Sequence, residues 1–337
     1  MQQTALIPQP TPRQLARELA DGQAVDAVFV VRERARRRRK NGDAFLKLRL
    51  GDATGSFEAV VWESVEAIEP ECAPGTVVRV GGPFAVDARY GASLTVRSLR
   101  IAAPDEYRRQ DLLDGPAQPC DQMVEDLESL IATVQHRHLR LLLDRFFGSG
   151  SPTRERWCDA PAAKHYHQAY PHGLLEHCLS VAQGVSALSA TFPVIDRDVA
   201  VAGALLHDIG KIETYATEGE GGAIALTDAG KLQGEIPLGY YMVRRAIGEI
   251  AGFPPDTAQA LLHIVLSHHG QLEHGSPVVP CTREATLVHM IDNLGGRLGS
   301  FDRLEKGLAE GERWSGFDRA LSGSAYFAPV EPGREAA

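Results

Sequence analysis

The chain has 337 residues, 44% of them hydrophobic, and a formal net charge of −9. That length allows two domains with a sizeable core, and the acidic balance excludes a protein coated in basic surface. No uninterrupted apolar run reaches the roughly 20 residues a membrane span needs, and Met1 to Ala20 lacks the apolar core of a signal peptide. Cys72, Cys120, Cys158, Cys178 and Cys281 show no C-x-x-C spacing. They read as free thiols in a reducing compartment, so a cytoplasmic location is expected.

Residues 1–22 read as a flexible lead-in with a short helical patch from Arg13 to Leu19. Residues 23–103 change to short β runs: Val25–Val31, Phe45–Leu50, Phe57–Trp62, Val77–Gly82 and Leu94–Ile101. Phe45–Leu50 alternates apolar and polar residues, as a half-buried strand does. Gly51 to Gly55 is a turn cluster, and Tyr90-Gly91 is another. Five strands in so short a stretch fit a small barrel. The order K-N-G-x-x-F-L-x-L-x-L-x-D-x-T-G from Lys40 resembles the OB-fold family of nucleic-acid-binding barrels. Between residues 23 and 101 there are 13 Lys/Arg and 10 Asp/Glu, so the acidic excess lies elsewhere. A mildly basic module suits local contact with a polyanion. Arg36, Arg37, Arg38, Arg39 and Lys40 are predicted in the loop between the first two strands, which OB-folds use for oligonucleotides. Phe45, Phe57, Trp62 and Tyr90 are candidate stacking platforms for unpaired bases. A solvated charge run and core aromatics are the alternatives.

Residues 104–122, with Pro104, Gly115, Pro116 and Pro119, read as a linker. Helical periodicity begins near Met123, with Leu127, Leu130, Ile131 and Val134, and returns in Leu139–Phe147. A helical domain is predicted over 123–310, followed by a C-terminal tail over 311–337. The expected fold class is multidomain: an all-β barrel followed by an all-α domain.

Within the helical part, Ala204-Leu205-Leu206-His207-Asp208-Ile209-Gly210-Lys211 places a His-Asp pair at the end of an apolar helix. Adjacent side chains within a helix diverge by about 100°. A metal at a helix end, with ligands from other helices, is one arrangement that needs such a pair. A polar helix end with a C-cap glycine is the other reading. Imidazole and carboxylate together suit Mn²⁺, Fe²⁺, Zn²⁺ or Mg²⁺. Further donors lie on other apolar helices: Glu176-His177, Ser267-His268-His269-Gly270, and Asp292 after Leu287-Val288-His289-Met290-Ile291. A buried carboxylate such as Asp292 is costly unless a cation meets it.

The HDIGK string and the ordered quartet His177, His207, Asp208 and Asp292 resemble the HD superfamily of metal-dependent phosphohydrolases. With the preceding barrel, the chain is similar to the YhaM-type 3′-to-5′ exoribonuclease family, also described as CMP-binding factors. Pro161-Ala162-Ala163, His165-Tyr166-His167, Gly173-Leu174-Leu175-Glu176-His177, Ser267-His268-His269-Gly270 and Gly275-Ser276-Pro277 carry the likeness over residues 23–300. It implies metal-dependent removal of nucleotides from the 3′ end of single-stranded RNA or DNA. The cofactor it implies is one or two divalent ions, Mn²⁺ foremost, with Mg²⁺, Fe²⁺, Co²⁺ or Ni²⁺ as alternatives.

The quartet is expected to hold metal. Glu235, His268 and His269 are expected to complete a second metal site or to act from outside the coordination sphere, and Asp208 to bridge. Lys211 is expected to reach a phosphate as a point charge; a solvated helix-terminal lysine is the other reading. His167 and His172 are candidates for substrate contact or proton donation; plain loop polarity is the other reading. Three departures stand out. The family commonly has His where this chain has Glu235 in Gly234-Glu235-Ile236. Its acidic cluster is reduced to Asp292-Asn293-Leu294-Gly295. The stretch Arg32–Lys40 is unusually rich in arginine. Two other functions compete: a phosphohydrolase of small or cyclic nucleotides, and a non-catalytic single-strand binder. A homo-oligomer is in prospect; a membrane partner is not.

Overall fold

The computed structural model describes residues 14–87, 91–113, 115–116, 118–164, 168–219, 222–308 and 311–329. Tyr90 and His167, most of the lead-in and the end of the tail lie outside the described residues. The chain divides into two compact units, one of Met1–Leu113 with Gly219–Ala223 and one of Asp114–Glu218 with Ile224–Ala337. Among the described residues no helix is long and apolar enough to cross a membrane.

The first unit has six strands: β1 (Ala24–Arg38), β2 (Ala44–Asp52), β3 (Gly55–Val61), β4 (Val77–Asp87), β5 (Gly91–Val96) and β6 (Ser98–Ile101). Their order is β1-β2-β3-β5-β4-β6, and β1 also pairs with β4, which closes the first five into a barrel. Only β3 and β5 run parallel. Closure leaves these strands no free edge. The alternation of Leu46, Leu48 and Leu50 with polar residues puts all three in the core. The same period buries Phe57 with Ala59 and Val61. Phe57 meets Phe29 and Phe84 edge to face, with ring centroids 5.0 and 5.7 Å apart. Of the two readings the sequence left open for Phe57, a stacking platform or a core aromatic, the structure has the core aromatic.

The run expected from Leu94 to Ile101 splits at Arg97 into β5 and β6. The Arg97 amide donates to the Gly81 carbonyl at 2.8 Å. A Cβ at Gly82 would lie 2.0 Å from the Thr95 carbonyl oxygen, so only glycine allows this crossing. A short helix α1 (Val65–Ile68) links β3 to β4. Another, α2 (Arg109–Leu112), buries Leu112 against Val30, Val77 and Ala102. Arg32 donates to the Leu112 carbonyl at 2.8 Å. Much of the expected linker, up to residue 113, is thus packed on the barrel, because Leu112 carries apolar surface that the barrel end covers.

The second unit contains α3 (Cys120–Ala132), α4 (Arg137–Phe147), α5 (Pro152–Asp159), α6 (Gly173–Ser189), α7 (Arg197–Leu206), α8 (Lys211–Thr214), α9 (Asp228–Gln233), α10 (Glu235–Gly248), α11 (Pro255–Ser267) and α12 (Arg283–Lys306). A hairpin, β7 (Tyr215–Glu218) and β8 (Ala223–Leu226), follows α8. The α7 helix starts at Asp196, whose carboxylate accepts from the Asp198 and Val199 amides at 3.1 Å. Every residue from Val199 to Leu206 is buried, as befits a helix apolar on all sides. Gly203 lets α11 approach: a Cβ there would sit 2.4 Å from Ile264 Cδ1. The end of this central helix is where the functional side chains collect.

The barrel carries a charged clasp. Arg79 donates to Asp26 at 2.8 Å and to Glu106 at 3.0 Å, and Arg100 donates to Glu106 at 2.7 Å. Arg100, then the Ala103 amide and Arg79, hold the Glu106 carboxyl well below the usual carboxylate range. A carboxyl depressed in the folded state stabilises above its unfolded pKa of about 4.3, and that contribution is lost as pH falls through the folded value. Acidification below that unfolded pKa is therefore expected to destabilise the barrel more steeply in wild type than in Glu106→Gln. Amide exchange in β4 and β6 of the full chain reads this; equal slopes would show that the clasp contributes nothing.

Candidate metal centre

His177 lies one turn into α6, and His207 caps the C-terminus of α7 with Asp208 directly after it. His207 keeps helical backbone angles (φ −56°, ψ −37°), and in the tight turn that follows, where the Ile209 amide donates to the Leu206 carbonyl at 3.2 Å, Asp208 Oδ2 comes within 3.3 Å of His207 Nε2. Lys211 opens α8, Glu235 opens α10, His268 caps α11 and Asp292 sits inside α12. Gly210 has φ −65°, so it is not a left-handed cap. A Cβ there would strike the Glu235 carbonyl at 2.0 Å and the Gly239 nitrogen at 2.6 Å. The glycine lets the HDIGK turn seat directly on the first turn of α10.

The donor atoms converge. His177 Nε2 lies 3.2 Å from His207 Nε2, 3.3 Å from Asp208 Oδ2 and 3.2 Å from Asp292 Oδ1. His207 Nε2 lies 3.3 Å from Asp208 Oδ2 and 3.9 Å from Asp292 Oδ1. The other Asp208 oxygen, Oδ1, faces His268 Nε2 at 3.5 Å. His177, His207 and Asp208 form one close triad, and His207, His268 and Asp292 a second. His207 donates from Nδ1 to the Ala204 carbonyl at 2.7 Å, and His268 from Nδ1 to the Val265 carbonyl at 2.9 Å. Both Nε2 lone pairs therefore face the cluster.

The donor set fits a divalent ion. Ligands about 2.0–2.2 Å from one metal stand roughly 3–3.5 Å from each other, which is the spacing seen around His177 Nε2. Asp208 Oδ1 and His268 Nε2 are buried and have no hydrogen-bond partner among the described residues, a cost that a cation removes. Burial opposes a charged His177, yet Asp208 and Asp292 outweigh it and raise its pKa to about 9. Burial also opposes the charge on Asp208, but Lys211 and His207 outweigh it and hold the carboxyl well below the ordinary range. An environment that stabilises positive charge so strongly suits a metal. Burial pushes the neighbouring Cys178 thiol well above its usual value, and Cys178 belongs to neither triad.

The remaining predicted residues fall in three places. Glu235 Oε1 lies 3.6 Å from His269 Nε2, and the His269 ring packs 4.4 Å from that of His268. This pair adjoins the Asp208 Oδ1 side of the cluster. Lys211 is bound within the protein: its ammonium sits 2.6 Å from Asp208 Oδ2 with only 15% of the side chain exposed. In this position it neutralises the buried carboxylate. His172 precedes α6 and donates from Nδ1 to the Cys158 carbonyl at 2.8 Å, which fastens α5 to the start of α6.

Sequence pattern does not single out His289. It donates to the His268 carbonyl at 2.8 Å, and its ring fills the space that a Cβ on Gly270 (φ +78°) would take. Its only sequence signal is standing three residues before Asp292, on the same face of α12. Glu176 likewise has a structural role that its place beside His177 does not announce: it accepts from Tyr170 and, at 3.2 Å, from Gln168.

On the barrel, Arg36, Arg37 and Arg38 belong to β1, paired with Leu46, Phe45 and Ala44, not to a loop. The first strand is 15 residues long, and its end forms a two-stranded ribbon with β2. Only Arg39 and Lys40 reach the turn. Arg36 is tied to Glu66 and Glu69. Arg39 lies over Trp62 at 4.4 Å, and Trp62 stacks on Phe45 at 4.9 Å. Trp62 remains 40% exposed. The cations that point to solvent on this ribbon are Arg37, Arg38 and Lys40.

Gly210→Ala is expected to cost about 1–3 kcal/mol of stability, as overpacking does, and to push Glu235 away from Asp208. Denaturant unfolding of the full chain checks this; an unchanged midpoint would show that the turn has room for a methyl group.

The HD domain family model matches residues 174–296. A 3′-5′ exoribonuclease YhaM from a Geobacillus species is 31% identical over 92% of this chain and 93% of its own length. One from Shouchella clausii is 30% identical over 91% and 94%, and one from Bacillus subtilis 28% identical over 86% and 90%. The second OB-fold domain of replication protein A from Methanococcus maripaludis aligns with 26% of this chain and 93% of its own, at 21% identity and a TM-score of 0.22. At this identity over nearly the whole of both sequences, with the HD cluster assembled in space, the chain belongs to the YhaM family.

Proposed function

We propose that the protein is a metal-dependent 3′-to-5′ exonuclease acting on single-stranded RNA, with DNA as a further substrate. The observation that carries the hydrolytic reading is the buried cluster of His177, His207, Asp208, His268 and Asp292, with two of its polar atoms unsatisfied. The polarity of attack and the RNA substrate follow from the relatives' names. His177, His207, Asp208 and Asp292 would hold one ion. Asp208 Oδ1, His268, His269 and Glu235 would hold a second. An oxygen ligand in Glu235 favours Mn²⁺ over softer ions. The cytoplasm is the proposed location.

A bound divalent ion lowers the pKa of water and polarises a phosphoryl oxygen. The chain's own residues prepare that chemistry. Lys211 keeps Asp208 ionised, so both carboxylate oxygens stay available as donors. The Ala204 and Val265 carbonyls fix the tautomers of His207 and His268, and His289 anchors the backbone of His268. The apolar walls of α7 and α11 exclude water from the back of the site. The solvent-facing cations Arg37, Arg38 and Lys40, with the Trp62–Phe45 stack, would engage the single strand.

Asp208→Asn preserves the shape of the side chain and removes its charge. It is expected to abolish release of mononucleotides from a 5′-labelled oligonucleotide, while wild type yields a descending ladder. Turnover near that of wild type in a folded Asp208→Asn protein, judged by circular dichroism, would refute the assignment. A wild type that cleaves mononucleotides or cyclic nucleotides but no oligonucleotide would support the small-molecule reading instead.

Replacing Arg37, Arg38 and Lys40 together with Ala is expected to weaken oligonucleotide binding. The slope of log K against log salt should fall by about 0.7 for each phosphate that is no longer neutralised. Arg36→Ala, already neutralised by Glu66 and Glu69, is expected to change that slope much less. A slope unaffected by the triple substitution would place the strand elsewhere.

A further inference from the structure

The donors assigned to the first ion stand on firm supports. His177, His207 and Asp208 are buried. Asp292 comes from α12, which sits tightly on α6: a Cβ on Gly184 would lie 2.9 Å from Ile291 Cγ2. The donors on the other side of Asp208 are placed differently. His268 ends α11, and His269 belongs to the turn that follows. The His269 and Glu235 side chains are 27 and 25% exposed, against 1% for His268. Their spacing depends on how that turn is held.

His289 holds it from α12. It stands three residues before Asp292, on the same face of the helix. Its Nδ1 donates to the His268 carbonyl at 2.8 Å. Its ring also meets Gly270 (φ +78°): a Cβ there would lie 2.1 Å from His289 Cε1, 2.3 Å from Nε2 and 2.5 Å from Nδ1. Three ring atoms so nearly equidistant put the face of the imidazole, not its edge, against the glycine. One side chain thus fixes the His268 backbone by a hydrogen bond and the Gly270 backbone by contact, on either side of His269.

The two rings then take their aim from that backbone. The Val265 carbonyl turns His268 so that its Nε2 faces Asp208 Oδ1 at 3.5 Å. The His274 carbonyl accepts from His269 Nδ1 at 2.8 Å, which leaves Nε2 3.6 Å from Glu235 Oε1. Ligand atoms must meet an ion to within about 0.2 Å, so a turn that carries two imidazoles has to be fixed before either can bind. We propose that His289 is the positioning residue of the second ion: it clamps the His268–Gly270 turn to α12 and so sets that ion's affinity, with little effect on the first. This rests on the two-ion reading above. His289 acts through the backbone and is not itself a ligand.

Calorimetric titration of the metal-free, full-length protein with Mn²⁺ tests it. Wild type is expected to take up two ions in two steps. His289→Phe keeps a ring beneath Gly270 but has no donor; it is expected to weaken the second step about 10–100-fold, as loss of a ligand-orienting group does, and to move the first step less than about threefold. His289→Asn returns a donor near the Nδ1 position and is expected to recover most of the loss. At limiting Mn²⁺, the Phe variant's kcat on an oligonucleotide should fall with KM unchanged, and excess Mn²⁺ should restore it. Gly270→Ala, which drives the turn off the ring and leaves His289 in place, is expected to weaken the same step; it decides the matter if the Phe variant does not fold. A second step left unchanged, or two steps weakened equally, overturns the proposal while the two-ion reading stands. A wild type that binds a single ion refutes that reading and the proposal with it.

Discussion

The helical unit is organised around an electrostatic constraint. Two imidazole nitrogens stand 3.2 Å apart with two carboxylates beside them, gathered from α6, α12 and the turn that ends α7. Lone pairs and anions at that spacing repel one another unless positive charge lies among them. Lys211 supplies part of it from one side, through Asp208 Oδ2. Among the described residues nothing satisfies Asp208 Oδ1 or His268 Nε2. Much of the surrounding architecture keeps these groups together against their own repulsion. The fully buried α7 fixes the turn, Gly210 brings α10 against it, and Gly203 allows α11 to approach.

This division of labour explains why glycines matter so much here. Gly203, Gly210 and Gly270 each stand where a Cβ would meet a neighbour at 2.4 Å or less. None of them serves flexibility. They set interhelical distances, and through those distances the spacing of donors that come from four different helices. Gly270 differs only in its positive φ, which lets the His289 ring sit beneath the backbone that carries His268.

The convergence of His177, His207, Asp208 and Asp292 was legible in the sequence because its chemistry is local in pattern. A His-Asp pair ending an apolar run, and an acid within an apolar helix, have few inexpensive explanations in a folded core. The barrel was legible for a similar reason: strand alternation and turn residues carry its topology. What escaped depended on distances between segments. Phe57 obeys the same alternation as a surface aromatic would; only the barrel's closure shows which face is inside. Gly210 looks like a helix cap until α10 is found against it. Lys211 looks free until Asp208 is seen 2.6 Å away. The length of β1 was hidden because a run of arginines reads as a loop, whereas pairing with β2 holds it extended. His289 works through a backbone carbonyl, which no side-chain pattern announces.

The function rests on the cluster being a metal centre. Anomalous diffraction at the manganese edge, from crystals equilibrated with Mn²⁺, tests this most directly. One peak is predicted among His177, His207, Asp208 and Asp292, and a second on the His268, His269 and Glu235 side of Asp208. No anomalous density among these residues at saturating Mn²⁺ would contradict the assignment.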